Sequence, residues 1–214
     1  MNYSDIEKEF NEKEFDYHKF VDYALNDESI RDKLVANIVD GNNHINIYYH
    51  SYYIINEASK EKPELFYKYW DDYLKIAKHK NSYHRIISHW LLTNLISIDY
   101  KNTFDDIKDD FFLAIKDERV SNGLAAVTDI IEVAKHRPDL ENEIINLFLN
   151  EDLLINYTEK HRARFYFLYM EYFEIILKDN YDQKLINFIE GCLESNTINT
   201  KRCAIKLLKK YDRK

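Results

Sequence analysis

The stretch PELFYKYWDDYLKIAKHKNSYHRIISHWLLTNLISI, residues 63–98, decides the fold class. Phe66, Tyr69, Trp70, Tyr73 and Ala77 recur at helical spacing over 63–78, which places them on one face of a helix. Tyr83, Ile87, Trp90, Leu91 and Ile98 repeat the pattern in the next stretch. Pro63 suits the first position of the first helix, where its missing N–H removes nothing. Two amphipathic helices joined by a short polar linker form the unit from which the rest of the chain can be read.

Outward from that unit the same periodicity continues. Phe104, Ile107, Phe111 and Ile115 predict a helix over 103–117, and Leu124, Val127, Ile131 and Ala134 one over 121–135. Further apolar faces are Leu140, Ile144, Ile145 and Phe148; Phe165, Leu168, Tyr172 and Ile175; Leu185, Ile189 and Leu193; and Ala204, Leu208 and Tyr211. Upstream, helices are expected over 27–39 and 43–59. Ile6, Phe10, Tyr17, Phe20 and Ala24 predict an N-terminal capping helix over 5–24. Only 3 Gly and 2 Pro occur in 214 residues, too few turn formers for a β-sandwich and too few glycines for a phosphate-binding loop. At 45% hydrophobic and 32% charged, the chain can bury a core. The fold class expected is all-α.

The second helix of each pair is preceded by a residue whose side-chain oxygen can accept from the free amides of a first turn: Asn43, Ser82, Ser121, Thr158 and Thr197. Their spacings are 39, 39, 37 and 39 residues, read from their positions. First helices start near Asp27, Pro63, Thr103, Asp139 and Asp182, with Thr103 and Asp106 reading as a variant capping box. A period of about 38 residues is longer than tetratricopeptide and ankyrin units and close to HEAT and armadillo units.

On these features residues 27–211 resemble a HEAT-repeat protein. Such units carry a basic residue early in the second helix, matched here by Arg85, Arg162 and Arg202, while the second helices at Asn43 and Ser121 lack it. The resemblance implies a right-handed α–α superhelix of about five helix pairs in a single domain, 1–214. Its parts would be a capping helix at 1–25 and repeats near 26–61, 62–100, 101–137, 138–179 and 180–214. Each pair is too small to bury its own apolar face and is stabilised by stacking on its neighbours.

No catalytic constellation, cofactor fingerprint or metal-ligand spacing stands out, so no enzyme activity, cofactor or metal is expected. His84 and His89 lie five apart on diverging helical faces. Cys192 and Cys203 have no CxxC or framework spacing and read as reduced packing residues. With no apolar leader and no membrane-spanning run, a cytoplasmic protein without membrane attachment is expected.

Acidic residues concentrate on the N-terminal and first helices, whereas cations favour the second helices, most of all the last, with Lys201, Arg202, Lys206, Lys209, Lys210, Arg213 and Lys214. In HEAT-like solenoids the second helices line the concave face. The resemblance therefore implies a partner-binding groove carrying Arg85, His89, Arg162, Arg164 and Arg202, with Tyr48 and Tyr52 as aromatic anchors among Tyr48, Tyr49, Tyr52 and Tyr53. The expected partner is a protein or acidic peptide. The alternative is nucleic acid, since alkylated-base DNA glycosylases are similar in helical-repeat architecture and use tryptophans and an aspartate, with Trp70, Asp71, Asp72 and Trp90 the residues to weigh. A net charge of −8 works against that alternative, and the core-compatible position of Trp70 on a first helix favours packing roles for both tryptophans.

Overall fold

The computed structural model describes residues 3–10, 15–40 and 44–211. Among the described residues it holds twelve α-helices and no strand, so the chain is all-α. It packs as two compact units, Met1–Ile107 and Lys108–Lys214. The division falls inside the segment 101–137 that the sequence reads as one repeat.

The N-terminal unit contains α1 (Tyr3–Glu9), α2 (His18–Asn26), α3 (Glu28–Val39), α4 (Ile45–Glu61), α5 (Trp70–Ala77) and α6 (Ser82–Thr93). Helix α3 packs on α4 and α5 on α6, while α4 also meets α6 and α2 lies against both α3 and α4. Their core includes Leu34, Ile54, Phe66, Tyr73, Ile87 and Leu91, all fully buried. Burying each such side chain contributes about 1.5–3 kcal/mol. The buried Arg31 directs its guanidinium to the Ala24 carbonyl at 2.7 Å, at the C-terminal end of α2 where the helix dipole favours a cation.

The C-terminal unit contains α7 (Lys108–Leu113), α8 (Val120–His136), α9 (Glu141–Leu149), α10 (Glu159–Asp179), α11 (Gln183–Gly191) and α12 (Ile198–Tyr211). Helix α10 packs between α8 and α12, and α11 packs on α12. Phe148 of α9 stacks on Tyr169 of α10 at 4.3 Å and meets Tyr172 edge-on. These rings hold α9 against α10.

Long-range side-chain hydrogen bonds join helices within each unit. Asn94 donates to Asn56, 38 residues away, and Tyr69 donates to Asp32, 37 away. In the C-terminal unit the Thr200 hydroxyl donates to the Ala163 carbonyl, 37 residues away, and Lys108 pairs with Glu143, 35 away. Helices α4 and α6, α7 and α9, and α10 and α12 are thus neighbours in space.

Several local expectations are corrected. The single helix expected over 5–24 is two, α1 and α2: a turn at Phe10 closes the first, and the Asp16 carboxylate accepts from the His18 amide at 3.2 Å to open the second. The first helices are not continuous: 3-10 turns cover Pro63–Leu65, Tyr67–Tyr69, Thr103–Asp106 and Pro138–Leu140 before α5, α7 and α9 begin. Proline and short polar runs favour these tighter turns at helix ends. Thr103 does not cap; its hydroxyl and amide donate to Asp99, whose carboxylate also accepts from Phe104 N and Tyr67 Oη. Asn102 ahead of it takes φ 54°, a left-handed conformation that asparagine tolerates.

The caps shift likewise. Asn81, not Ser82, accepts from Tyr83 N at 3.0 Å. Ser121 does not cap α8; the chain turns earlier, where Asp117 accepts from Arg119 N and the Arg119 carbonyl accepts from Asn122 and Gly123. Asp27, Thr158 and Asp182 cap α3, α10 and α11 as expected. The Thr197 carbonyl accepts the first amide bond of α12, from Lys201. Asn43 lies outside the described residues, as do Arg213 and Lys214; the cap of α4 is His44, whose Nδ1 accepts from Asn46 N.

Candidate functional site

Burial along α4 follows the helical period and sorts its four tyrosines. Tyr48 and Tyr52 are 5% and 6% exposed, so neither presents a ring to a partner, contrary to the sequence expectation. They share the core-facing phase with Ile55, Ala58 and Ser59, and Tyr48 packs on His84 at 4.4 Å while Tyr52 stacks on Trp90 at 5.4 Å. The outward phase falls one residue later, on half-buried Tyr49 and on Tyr53, which is 41% exposed. Tyr17 of the segment before α2 stacks on Tyr53 at 5.3 Å, and Tyr83 of α6, 55% exposed, meets Tyr49 edge-on at 5.5 Å. The result is a continuous aromatic ledge along the seam between α4 and α6. The phase of Ile54 and Ile55 is the sequence signal that could have selected these rings.

The cations expected on the second helices do not form one stripe. The Arg85 guanidinium is occupied by the His79 and Lys80 carbonyls, at 2.9 and 3.1 Å, where it closes the end of α5. His89 is buried. Arg162 and Arg164 are two residues apart and so project from opposite sides of α10. Arg162 is half-buried and lies, with Glu151, in the electrostatic environment of the Tyr166 hydroxyl. Arg164 is exposed, as is Arg202 on α12, and neither makes an ion pair or hydrogen bond to another of the described residues.

Arg164 stands at a groove of about 440 Å³ where α8, α10 and the start of α12 converge. Leu124, Ala125, Phe167 and Leu168 supply its apolar lining, and Thr128, Thr197 and Asn199 its polar part. The apolar side chains of α10 divide: Phe165, Tyr169 and Phe173 are buried, whereas Phe167 and Leu168 remain partly exposed. Thr200 fixes the groove by tying α12 to the α10 backbone at 2.7 Å. Of the lining side chains only Arg164 is titratable, so the groove offers charge and apolar contact, with no acid–base pair.

Trp70 is buried, and Trp90 is half-buried against Tyr52. Burial pushes the Cys192 thiol up to about 12, with Cys203 adding to the effect, and both cysteines are free. His84 is held below the usual imidazole range by burial and then by His79, whose ring lies 4.2 Å away. Among the described residues no group of three or more His, Cys, Asp or Glu side chains could hold a metal ion, and no helix is long and apolar enough to cross a membrane. Compared with known families and with curated proteins, the chain matches no family and no curated protein.

Proposed function

We propose that the chain is a HEAT-like helical-repeat scaffold, without catalysis of its own, that binds a protein or acidic peptide through the exposed face of its second helices. The observation that carries this reading is the groove of α8, α10 and α12, which combines an apolar lining with an unpaired arginine. An aliphatic or aromatic side chain of the partner fills the space over Phe167 and Leu168, and a carboxylate pairs with Arg164, a fork-shaped donor suited to it. Apolar burial supplies affinity, and the charge supplies register and on-rate. The hydrogen-bond register of 35–38 residues between neighbouring helices supports the repeat reading, because stacked repeats bring equivalent positions together.

Selection of a random-peptide display library on the full chain tests the proposal. Wild type is expected to enrich peptides that combine Asp or Glu with a large apolar residue, and Arg164→Glu to weaken the selected peptides roughly tenfold or more. Peptides selected equally by wild type and Arg164→Glu, or no enrichment with a chain whose circular dichroism is intact, would overturn it.

A further inference from the structure

The outward edge of α4 carries a second surface that the groove reading does not use. Tyr49, Tyr53, Glu57 and Glu61 follow one another at four-residue steps, so they form a single stripe along the helix. The upper half of the stripe is aromatic, with Tyr17 against Tyr53 and Tyr83 against Tyr49, whose hydroxyls are hydrogen-bonded. The lower half borders a recess of about 430 Å³ between α2 and α4, lined by His18, Val21, Asp22, Glu57, Lys60 and Glu61. The two halves are continuous, since the Tyr17 ring lies 4.2 Å from that of His18 and Glu57 is one turn from Tyr53.

Charge decides what such a surface suits. Lys60 is held by Glu57 at 2.8 Å, which leaves Asp22 and Glu61 without an ion-pair partner among the described residues, in a recess of three carboxylates and one ammonium. Exposed aromatic faces carry negative quadrupole charge of the same sign. Both halves therefore attract a cation and repel a carboxylate-rich peptide or a phosphate backbone. An apolar docking segment would gain the rings but leave the carboxylates unmatched.

We propose that the α4 edge docks a basic segment of a partner protein, its Lys or Arg side chains lying across Tyr49, Tyr53 and Tyr83 and their charges meeting Glu57, Glu61 and Asp22. The rings select for the flat guanidinium or the long aliphatic stem, and the carboxylates set the direction in which the segment lies.

Fluorescence anisotropy of fluorescein-labelled hexa-arginine, titrated with the full chain at physiological salt, tests the proposal. Tyr53→Ala leaves the net charge unchanged and removes an exposed ring, so it separates the docking site from general attraction to an acidic protein. It is expected to weaken binding roughly fivefold, within the range of one partly exposed cation–π contact, while Tyr53→Phe, which keeps the ring, retains affinity within twofold. The pair Glu57→Gln and Glu61→Gln is expected to weaken binding roughly tenfold, whereas Asp152→Asn with Asp179→Asn, which removes as much charge from the other unit, changes it less than twofold. Equal loss in the two charge pairs, full affinity in Tyr53→Ala, or binding of hexaglutamate or an oligothymidylate as tight as that of hexa-arginine would each overturn the proposal.

Discussion

Gly123→Ala adds one methyl group to α8 where three other segments converge. The new Cβ would stand 2.6 Å from the Ile115 carbonyl oxygen, 2.6 Å from the Tyr157 hydroxyl and 3.0 Å from the ring of Phe165. A relaxed carbon–oxygen contact is about 3.3–3.6 Å, so Tyr157 must retreat. That hydroxyl donates to the Ile115 and Asp117 carbonyls, at 2.8 and 2.5 Å, and its ring stacks on Phe165 at 4.8 Å. Overpacking of this kind costs about 1–3 kcal/mol, and the weakened hydrogen bond about 1 kcal/mol more. Alanine recovers about 1 kcal/mol over glycine within a helix. The net expectation is a destabilisation of about 2 kcal/mol, which lowers the urea midpoint of a unit of this size by about 1 M. Far-ultraviolet circular dichroism is the appropriate readout, because both tryptophans, Trp70 and Trp90, belong to the other unit and their fluorescence does not report on α8. Gly191→Ala is the control: it ends α11 with helical dihedrals and a Cβ there meets nothing within 4 Å, so that variant should be as stable as wild type or slightly more so. Tyr157→Phe should cost less in the Gly123→Ala background than in wild type, since one of the clashing atoms is then gone. A Gly123→Ala chain as stable as Gly191→Ala would refute the close approach of α8, the Ala114–Lys116 turn and Tyr157.

Three further outcomes follow from the structure. Asp99→Asn should lower stability by about 1.5–3 kcal/mol, because one carboxylate accepts from Tyr67, Thr103 and Phe104; burial alone would raise its pKa, but these hydrogen bonds outweigh it and hold the group below the usual carboxylate range. Its contribution is present above about pH 4 and is lost as pH falls through the lower folded value, so a variant that unfolds in acid alongside wild type would count against it. His84 and His50 are both held below the normal imidazole value, His50 by burial that outweighs its hydrogen bond to the Phe10 backbone. The unfolded chain then binds protons more readily, stability is whole above about pH 6.5 and falls as pH drops toward the lower folded values, and substituting both by Phe should flatten that slope in urea titrations between pH 7 and 5.5. Finally, both thiols are pushed up, Cys192 by burial and then by Cys203, and Cys203 by burial and then by Glu171. Ellman's reagent at pH 8 should titrate them slowly in the native chain and completely in guanidinium; rapid native reaction of Cys192 would contradict its placement.

The tyrosines of α4 show where reading from sequence stops. Spacing alone predicts a helix there, and it predicts that some of the four rings must face away from the core. The rings themselves do not say which, since adjacent ones differ by about 100° of helical phase and only the aliphatic Ile54 and Ile55 of the same helix mark the core direction, which is set by packing against α2, α3 and α6. Tyr48 and Tyr52 turn inward, and Tyr49 and Tyr53 outward. The same holds for Arg162 and Arg164, which look equivalent in a list of cations and point to opposite sides of one helix.

What the sequence determined by itself is what local chemistry governs: an all-α chain, from apolar periodicity and the scarcity of glycine and proline; and helix starts at Asp27, Thr158 and Asp182, from side chains that bond to amides only a few residues away. What only the tertiary structure decided depends on neighbours remote in the chain. Asn94 of the α6 end meets Asn56 of α4, Tyr48 and Tyr52 are covered by His84 and Trp90 of α6, and Arg164 is left unpaired at a groove formed by three helices spread over some eighty residues. Helix formation is a matter of bonds four residues long, whereas exposure, pairing and a binding surface arise only when segments that the sequence keeps apart are packed side by side.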